Sequence, residues 1–197
     1  MKKGKWYYMI ECLYEPFKTE LSAEGTVWLY SDPHFESDDD LKVAFPNRPS
    51  AEEQVKMINS KVGKNDHLLL LGDVGNIEWA RKIRGHKWLI CGNHDAGYTQ
   101  YTDVFDRVFA GPLMIGEKII LSHEPLAINW AFNIHGHTHL LSKNRPGHLC
   151  VCSDVINYTP INFNQFVKSG RLKEITPIHR ITIDEATKKA RKRKIKK

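Results

Sequence analysis

The stretch "HLLLLGDVGNIEWARKIRGHKWLICGNHD" (67–95) decides how the chain is read. It opens on an apolar run short enough for one buried strand, breaks at Gly72, and turns apolar again at "KWLIC" (87–91). Between the runs, "NIEWARKIRG" (76–85) begins with a capping residue, Asn76, and ends on a stop glycine, Gly85, the marks of a short helix. Strand, helix, strand in that order implies parallel pairing through a crossover helix.

The same rhythm extends in both directions. Upstream, "TVWLY" (26–30) runs into "SDPH" (31–34). The segment "SAEEQVKMINSKVG" (50–63) predicts a helix: Ser50 caps it, Glu53 completes a capping box, Val55, Ile58 and Val62 recur at helical spacing, and Gly63 ends it. Downstream, "KIIL" (118–121) gives way to "SHEP" (122–125), and "WAFNI" (130–134) to "HGHTH" (135–139). From about residue 104 to 162 the strands crowd together with few helical signals, which predicts mixed or antiparallel pairing there. The expected fold class is α/β: a two-sheet sandwich with mixed sheets, flanked by helices. Residues 1–180 form one expected domain with its core motifs in 26–162, and residues 181–197 a basic tail. An added strand is expected in "KWYYMIECLY" (5–14).

With 41% hydrophobic and 26% charged residues, the composition is that of an ordinary globular chain. No apolar run approaches the ~20 residues of a membrane span. After "MKKGK" only "WYYMI" precedes Glu11, too short for a secretory leader, so cytoplasmic residence is expected. Cys12, Cys91, Cys150 and Cys152 form no CxxC and are expected as reduced thiols. The net charge of +6 resides in the tail. The last ten residues hold eight basic ones, and without them the chain carries −2. Such a tail suits a phosphate backbone, nucleic acid included, or a membrane surface, and serves equally as a solvated terminus.

Each apolar run ends in residues that bind metals. If the five runs are neighbours, Asp32, His34, Asp73, Asn93, His94, Asp95, His123, His137 and His139 gather where ligands collect in α/β sheets, at the carboxyl ends of strands. Residues two apart in an extended segment point the same way, so Asp32 with His34, and His137 with His139, each offer two side chains to one locus. Imidazoles with carboxylates and no thiolate suit zinc, manganese or iron. The donors are too many for one ion that also holds water and substrate, and are about right for two ions sharing a carboxylate.

The blocks "SDPH" (31–34), "LGDVGN" (71–76), "CGNHD" (91–95), "SHEP" (122–125) and "HGHTH" (135–139) resemble, in order, those of calcineurin-like metallophosphoesterases. "FPNRP" (45–49) and "DVINYTPINF" (154–163) are similar to a small bacterial and phage branch of that family. The resemblance implies a metallophosphoesterase-type sandwich and a metal-dependent phosphohydrolase. It would cleave phosphomonoesters or phosphodiesters by attack of a metal-bridging hydroxide, using two divalent ions (Mn, Fe or Zn). It also implies Asp32, His34, Asp73 and His139 on one ion, with Asp73 giving one oxygen to each ion and Asn93, His123 and His137 completing the second. His94 would act as acid at the leaving oxygen, oriented by an Asp95–imidazole hydrogen bond. His135 falls outside that pattern. Arg48, in the loop expected after the first block (35–50), either meets a substrate phosphate or stays a surface residue. Two further readings stand beside this one: a nuclease or cyclic-nucleotide phosphodiesterase of the same chemistry, and a non-catalytic metal-binding scaffold.

Overall fold

The computed structural model describes residues 25–36, 39–141 and 145–195. The strand expected at 5–14 lies outside them. The apolar runs become β1 (Val27–Tyr30), β2 (His67–Leu70), β3 (His86–Ile90), β6 (Ile119–Ser122) and β7 (Phe132–His135). Between and after them stand β4 (Arg107–Phe109), β5 (Leu113–Ile115), β8 (His148–Cys150) and β9 (Ile161–Asn162).

Two sheets form, with strand orders β4-β3-β2-β1-β9 and β5-β6-β7-β8. In the first, β1 to β4 pair in parallel, and β9 joins β1 antiparallel. In the second, β6, β7 and β8 are parallel and β5 is antiparallel. The five runs are therefore not neighbours in one sheet. Three lie in one and two in the other, the mixed two-sheet arrangement expected for the later region.

Alternation along the first sheet explains its two buried faces. Leu29, Leu69, Trp88 and Ile90 turn toward Leu121, Phe132 and Ile134 of the second sheet and form the inter-sheet core. Their neighbours Tyr30, Leu68, Leu70 and Leu89 turn the other way, onto Val55, Ile58, Ala80 and Ile83. A strand buried on both faces must be apolar throughout, which is why "LLLL" stands at 68–71.

Those last residues come from the helical side. Helix α1 spans Asp39–Ala44, α2 Ala51–Asn59 and α3 Ile77–Arg81. Helix α2 carries the expected capping box: Ser50 accepts from the Glu53 amide, and the Glu53 carboxylate accepts from the Ser50 amide at 2.8 Å. Such a cap contributes about 1 kcal/mol. Asn76 caps α3 through the Glu78 amide. Both helices stop before the glycines expected to end them. Ser60 closes α2 and Lys82 closes α3, while Gly85, at φ +78°, serves the turn into β3. Helix α1 was expected as loop; Lys42 in its last turn complements the helix dipole. Helix α4 (Phe163–Lys168) adds Phe163 and Phe166 to the inter-sheet core, and α5 (Ile178–Ile195) follows. The boundary expected at residue 181 thus falls inside α5. Among the described residues no helix is long and apolar enough to cross a membrane.

Candidate metal centre

The parallel strands of both sheets run their carboxyl ends to the same edge of the sandwich, where backbone contacts tie the loops together. The Asp32, His34 and Phe35 amides donate to the Gly72, Asp73 and Val74 carbonyls, joining the ends of β1 and β2. Ser31 pairs with Cys152 beyond β8, and the Ser153 amide donates to the Ser31 carbonyl at 2.8 Å. The Gly136 amide, after β7, donates to the His123 carbonyl, after β6, at 2.9 Å.

On this frame the candidate ligands form two groups of metal-binding type, Asp32 with His34 and His139, and Asp73 with His123 and His137. In the first, Asp32 Oδ1 lies 3.8 Å from His34 Nε2 and 3.7 Å from His139 Nε2. In the second, His123 Nε2 lies 3.4 Å from Asp73 Oδ2, 3.2 Å from His137 Nδ1 and 2.8 Å from Asn93 Oδ1. His34 Nε2 is also 3.5 Å from Asp73 Oδ2. One carboxylate oxygen therefore faces both groups. The other oxygen, Oδ1, accepts the His94 amide at 3.0 Å.

The pairing of residues two apart is corrected at its second pair. Asp32 and His34 share a group, but His137 and His139 divide between the two. The segments are not extended: Asp32, His34, Asp73, His137 and His139 all have positive φ, between 41° and 67°. Among the described residues, five of the eight non-glycine ones in that conformation are thus candidate ligands. Each costs on the order of 1 kcal/mol, and such strain collects at functional sites.

The donor chemistry fits cations. Asp32 Oδ1 and His34 Nε2 are buried without a hydrogen-bond partner, a costly state that a cation relieves. His123 Nδ1 meets the Leu71 carbonyl at 2.8 Å, which only accepts, so Nδ1 holds the proton. Its Nε2 faces the oxygens of Asn93 and Asp73, donating to them when protonated and offering its lone pair when a cation takes that proton's place. Donor atoms 3–3.5 Å apart match the edges of a coordination shell with bonds near ~2.1 Å. Electrostatics point the same way. Burial opposes charge on His123, yet hydrogen bonding to Asp73 and the field of Asp32 lift its pKa to about 9. Burial likewise opposes ionisation of Asp32, but contacts from His34 and Ser31 bring its pKa down to about 2.

The remaining candidates fall around these groups. His94 is exposed, its ring centroid 5.6 Å from that of His34. Asp95 does not orient it. Its carboxylate accepts from the Asp73, Val74 and Gly92 amides at 2.8–2.9 Å and from the Tyr101 hydroxyl at 3.3 Å, locking the β2 loop to the β3 loop. Arg48 is not an open phosphate clamp: its guanidinium turns inward, donates to the Asp32 and Pro33 carbonyls and lies over the Tyr158 ring. Two backbone carbonyls, the Ser153 hydroxyl at 3.4 Å and a ring hold it where a surface residue was the other expectation. His135 is buried beside the groups, bonded to the Gly136 carbonyl, and joins neither. Among the described residues, Cys91, Cys150 and Cys152 form no disulfide.

The sequence reading missed Cys152, Ser153 and Asp154. Their signal was a sixth apolar run, "HLCVC" (148–152), followed by Ser-Asp as in "SDPH". Asp154 Oδ1 lies 2.9 Å from His139 Nδ1, and the Ser153 hydroxyl donates to the Asp32 carbonyl at 2.8 Å.

No protein-family model matches the chain, and no curated protein matches it. Among solved structures it is similar to the crystal structure of a protein of unknown function from Aquifex aeolicus. The TM-score is 0.60 at 22% identity, over 74% of this chain and 99% of that one. That likeness concerns the fold. Fold and site together describe a mixed α/β protein with grouped His/Asp side chains able to bind metal at the joint edge of its two sheets.

Proposed function

We propose that the chain is a phosphoesterase that works with two divalent cations, manganese, iron or zinc. The observation that carries the reading is the position of Asp73 Oδ2, 3.5 Å from His34 Nε2 on one side and 3.4 Å from His123 Nε2 on the other. Asp32, His34 and His139 would hold one cation, Asn93, His123 and His137 the other, and Asp73 would serve both. When bound, such a pair supplies charge to the phosphoryl oxygens and acidifies water. Hydrolysis forms a bond from a water oxygen to phosphorus and breaks the bond to the leaving oxygen. The exposed His94 ring gives its proton to that oxygen. The His94 amide on Asp73 Oδ1 fixes its backbone beside the site.

Turnover of bis(p-nitrophenyl) phosphate with added Mn²⁺ tests this. Asp73→Asn is expected to abolish turnover, and His94→Gln to keep bound metal while losing about 10²–10⁴-fold in kcat, the scale of general acid catalysis. Failure of the unaltered chain to cleave any monoester or diester with Mn²⁺, Fe²⁺ or Zn²⁺ would overturn the reading, and metal loss in His94→Gln would remove its role as acid.

A second reading, a nuclease of the same chemistry, draws on α5. Residues 182–192 of this helix are exposed throughout, and Lys188, Lys189, Arg191 and Lys192 are distributed around its axis. Cations on every side suit a groove of phosphates better than a flat membrane surface, which selects an apolar stripe.

A further inference from the structure

The carboxyl end of β8 belongs to neither donor group, yet it touches the first at two ligands. Asp154 Oδ1 lies 2.9 Å from His139 Nδ1. The Cys152 thiol donates to Asp32 Oδ2 at 3.2 Å, and its sulfur accepts from the His139 amide at 3.3 Å. Asp154's side chain is only 2% exposed, and its Oδ2 is buried with no hydrogen-bond partner. A carboxylate that deep is costly to keep unless its charge is used locally.

We infer that Asp154 is a positioning residue for the first cation. It holds the proton of His139 on Nδ1 and so leaves the Nε2 lone pair aimed toward Asp32 Oδ1. A carboxylate behind a ligating imidazole fixes its tautomer and rotation and makes it a stronger donor. Cys152 does the corresponding work at Asp32: its thiol, with the His137 amide at 2.9 Å, occupies Oδ2 and leaves Oδ1 for the cation.

The same three side chains, His139, Cys152 and Asp154, are close enough to be a cation site of their own. Their contacts favour the bracing role. The Cys152 sulfur is engaged as a thiol donor to Asp32, so it is not a thiolate ligand. His139 Nδ1, facing a carboxylate at hydrogen-bond distance, carries the proton that a ligand nitrogen must lack.

The inference rests on the cation-binding part of the proposed function and not on ester hydrolysis. Calorimetric titration of the full chain with Mn²⁺ is expected to show two sites. Asp154→Leu weakens one of them about 10–100-fold and leaves the other alone, the scale set by such outer contacts. Asp154→Asn, whose carbonyl still accepts from Nδ1, falls between, with a cation-free melting temperature close to that of the unaltered chain. Two unchanged affinities in Asp154→Leu, or an equal fall at both sites, would overturn the assignment. Should that variant not fold, long-range ¹H–¹⁵N spectra of the unaltered, cation-free chain decide, at a pH where His139 is neutral. A proton on Nδ1 supports the proposal, and a proton on Nε2 refutes it. A chain that binds two Mn²⁺ but cleaves no ester loses the proposed reaction and keeps this inference; one that binds none loses both.

Discussion

At the residue scale, Gly136 shows how little room the site leaves. A Cβ there would collide with Ser31 Oγ and Asp32 Oδ2. Neither can retreat: Ser31 donates to the Leu71 carbonyl at 2.7 Å, and Asp32 Oδ2 holds the His137 amide and the Cys152 thiol. Overpacking of this kind costs about 1–3 kcal/mol, or roughly 2–10 °C of melting temperature for a chain this long. Gly136→Ala is therefore expected to melt lower and to bind Mn²⁺ more weakly. Gly97, where an added Cβ meets nothing within 4 Å, is the control, and Gly97→Ala should behave as the parent. Equal melting temperatures for the two variants would refute the close approach. The identities of the candidate ligands were legible at this scale, because imidazoles and carboxylates recur after apolar runs. The roles of Arg48 and Asp95 were not. A guanidinium aimed at substrate and one aimed at backbone carbonyls are spelled alike, and Asp95 beside His94 in sequence turns to amides 22 and 21 residues away.

Among the elements, the capped helices α2 and α3 were readable because caps are local: Ser50 with Glu53, and Asn76 with Glu78, are near neighbours. Their ends were misplaced because a glycine at positive φ serves any turn, not only a helix stop. Helix α5 carries the prediction at this scale. Ending the chain at Thr187 removes eight cations. Because residues 182–192 are exposed, the melting temperature should hold. If α5 lies on nucleic acid, affinity falls, and the slope of log K against log salt becomes shallower by about 0.7–0.9 for each cation withdrawn from a phosphate. A slope that does not change on truncation would remove the nucleic-acid reading and leave the phosphoesterase reading untouched.

For the whole molecule, the site exists only where two sheets share an edge, and cation binding should therefore report on the entire fold. A ligand at 100 times its Kd stabilises the folded state by about 2.7 kcal/mol, which corresponds to roughly 5–10 °C here. Melting with Mn²⁺ against melting with a chelator should differ by that amount, and Asp73→Asn, which touches both groups, should erase most of the difference. Identical curves with and without Mn²⁺ would show that no cation binds the native chain. By itself the sequence determined five of the strands, the two capped helices and which side chains end those strands, since alternation, caps and glycines act over a few residues. Only the tertiary structure decided that three of the runs lie in one sheet and two in the other, that Arg48 and Asp95 turn to the backbone, and that β8 brings Asp154 behind His139. Those outcomes depend on left-handed turns and on contacts between residues more than a hundred apart, such as Ser153 with Asp32, 121 apart, and no local pattern encodes a distance of that kind.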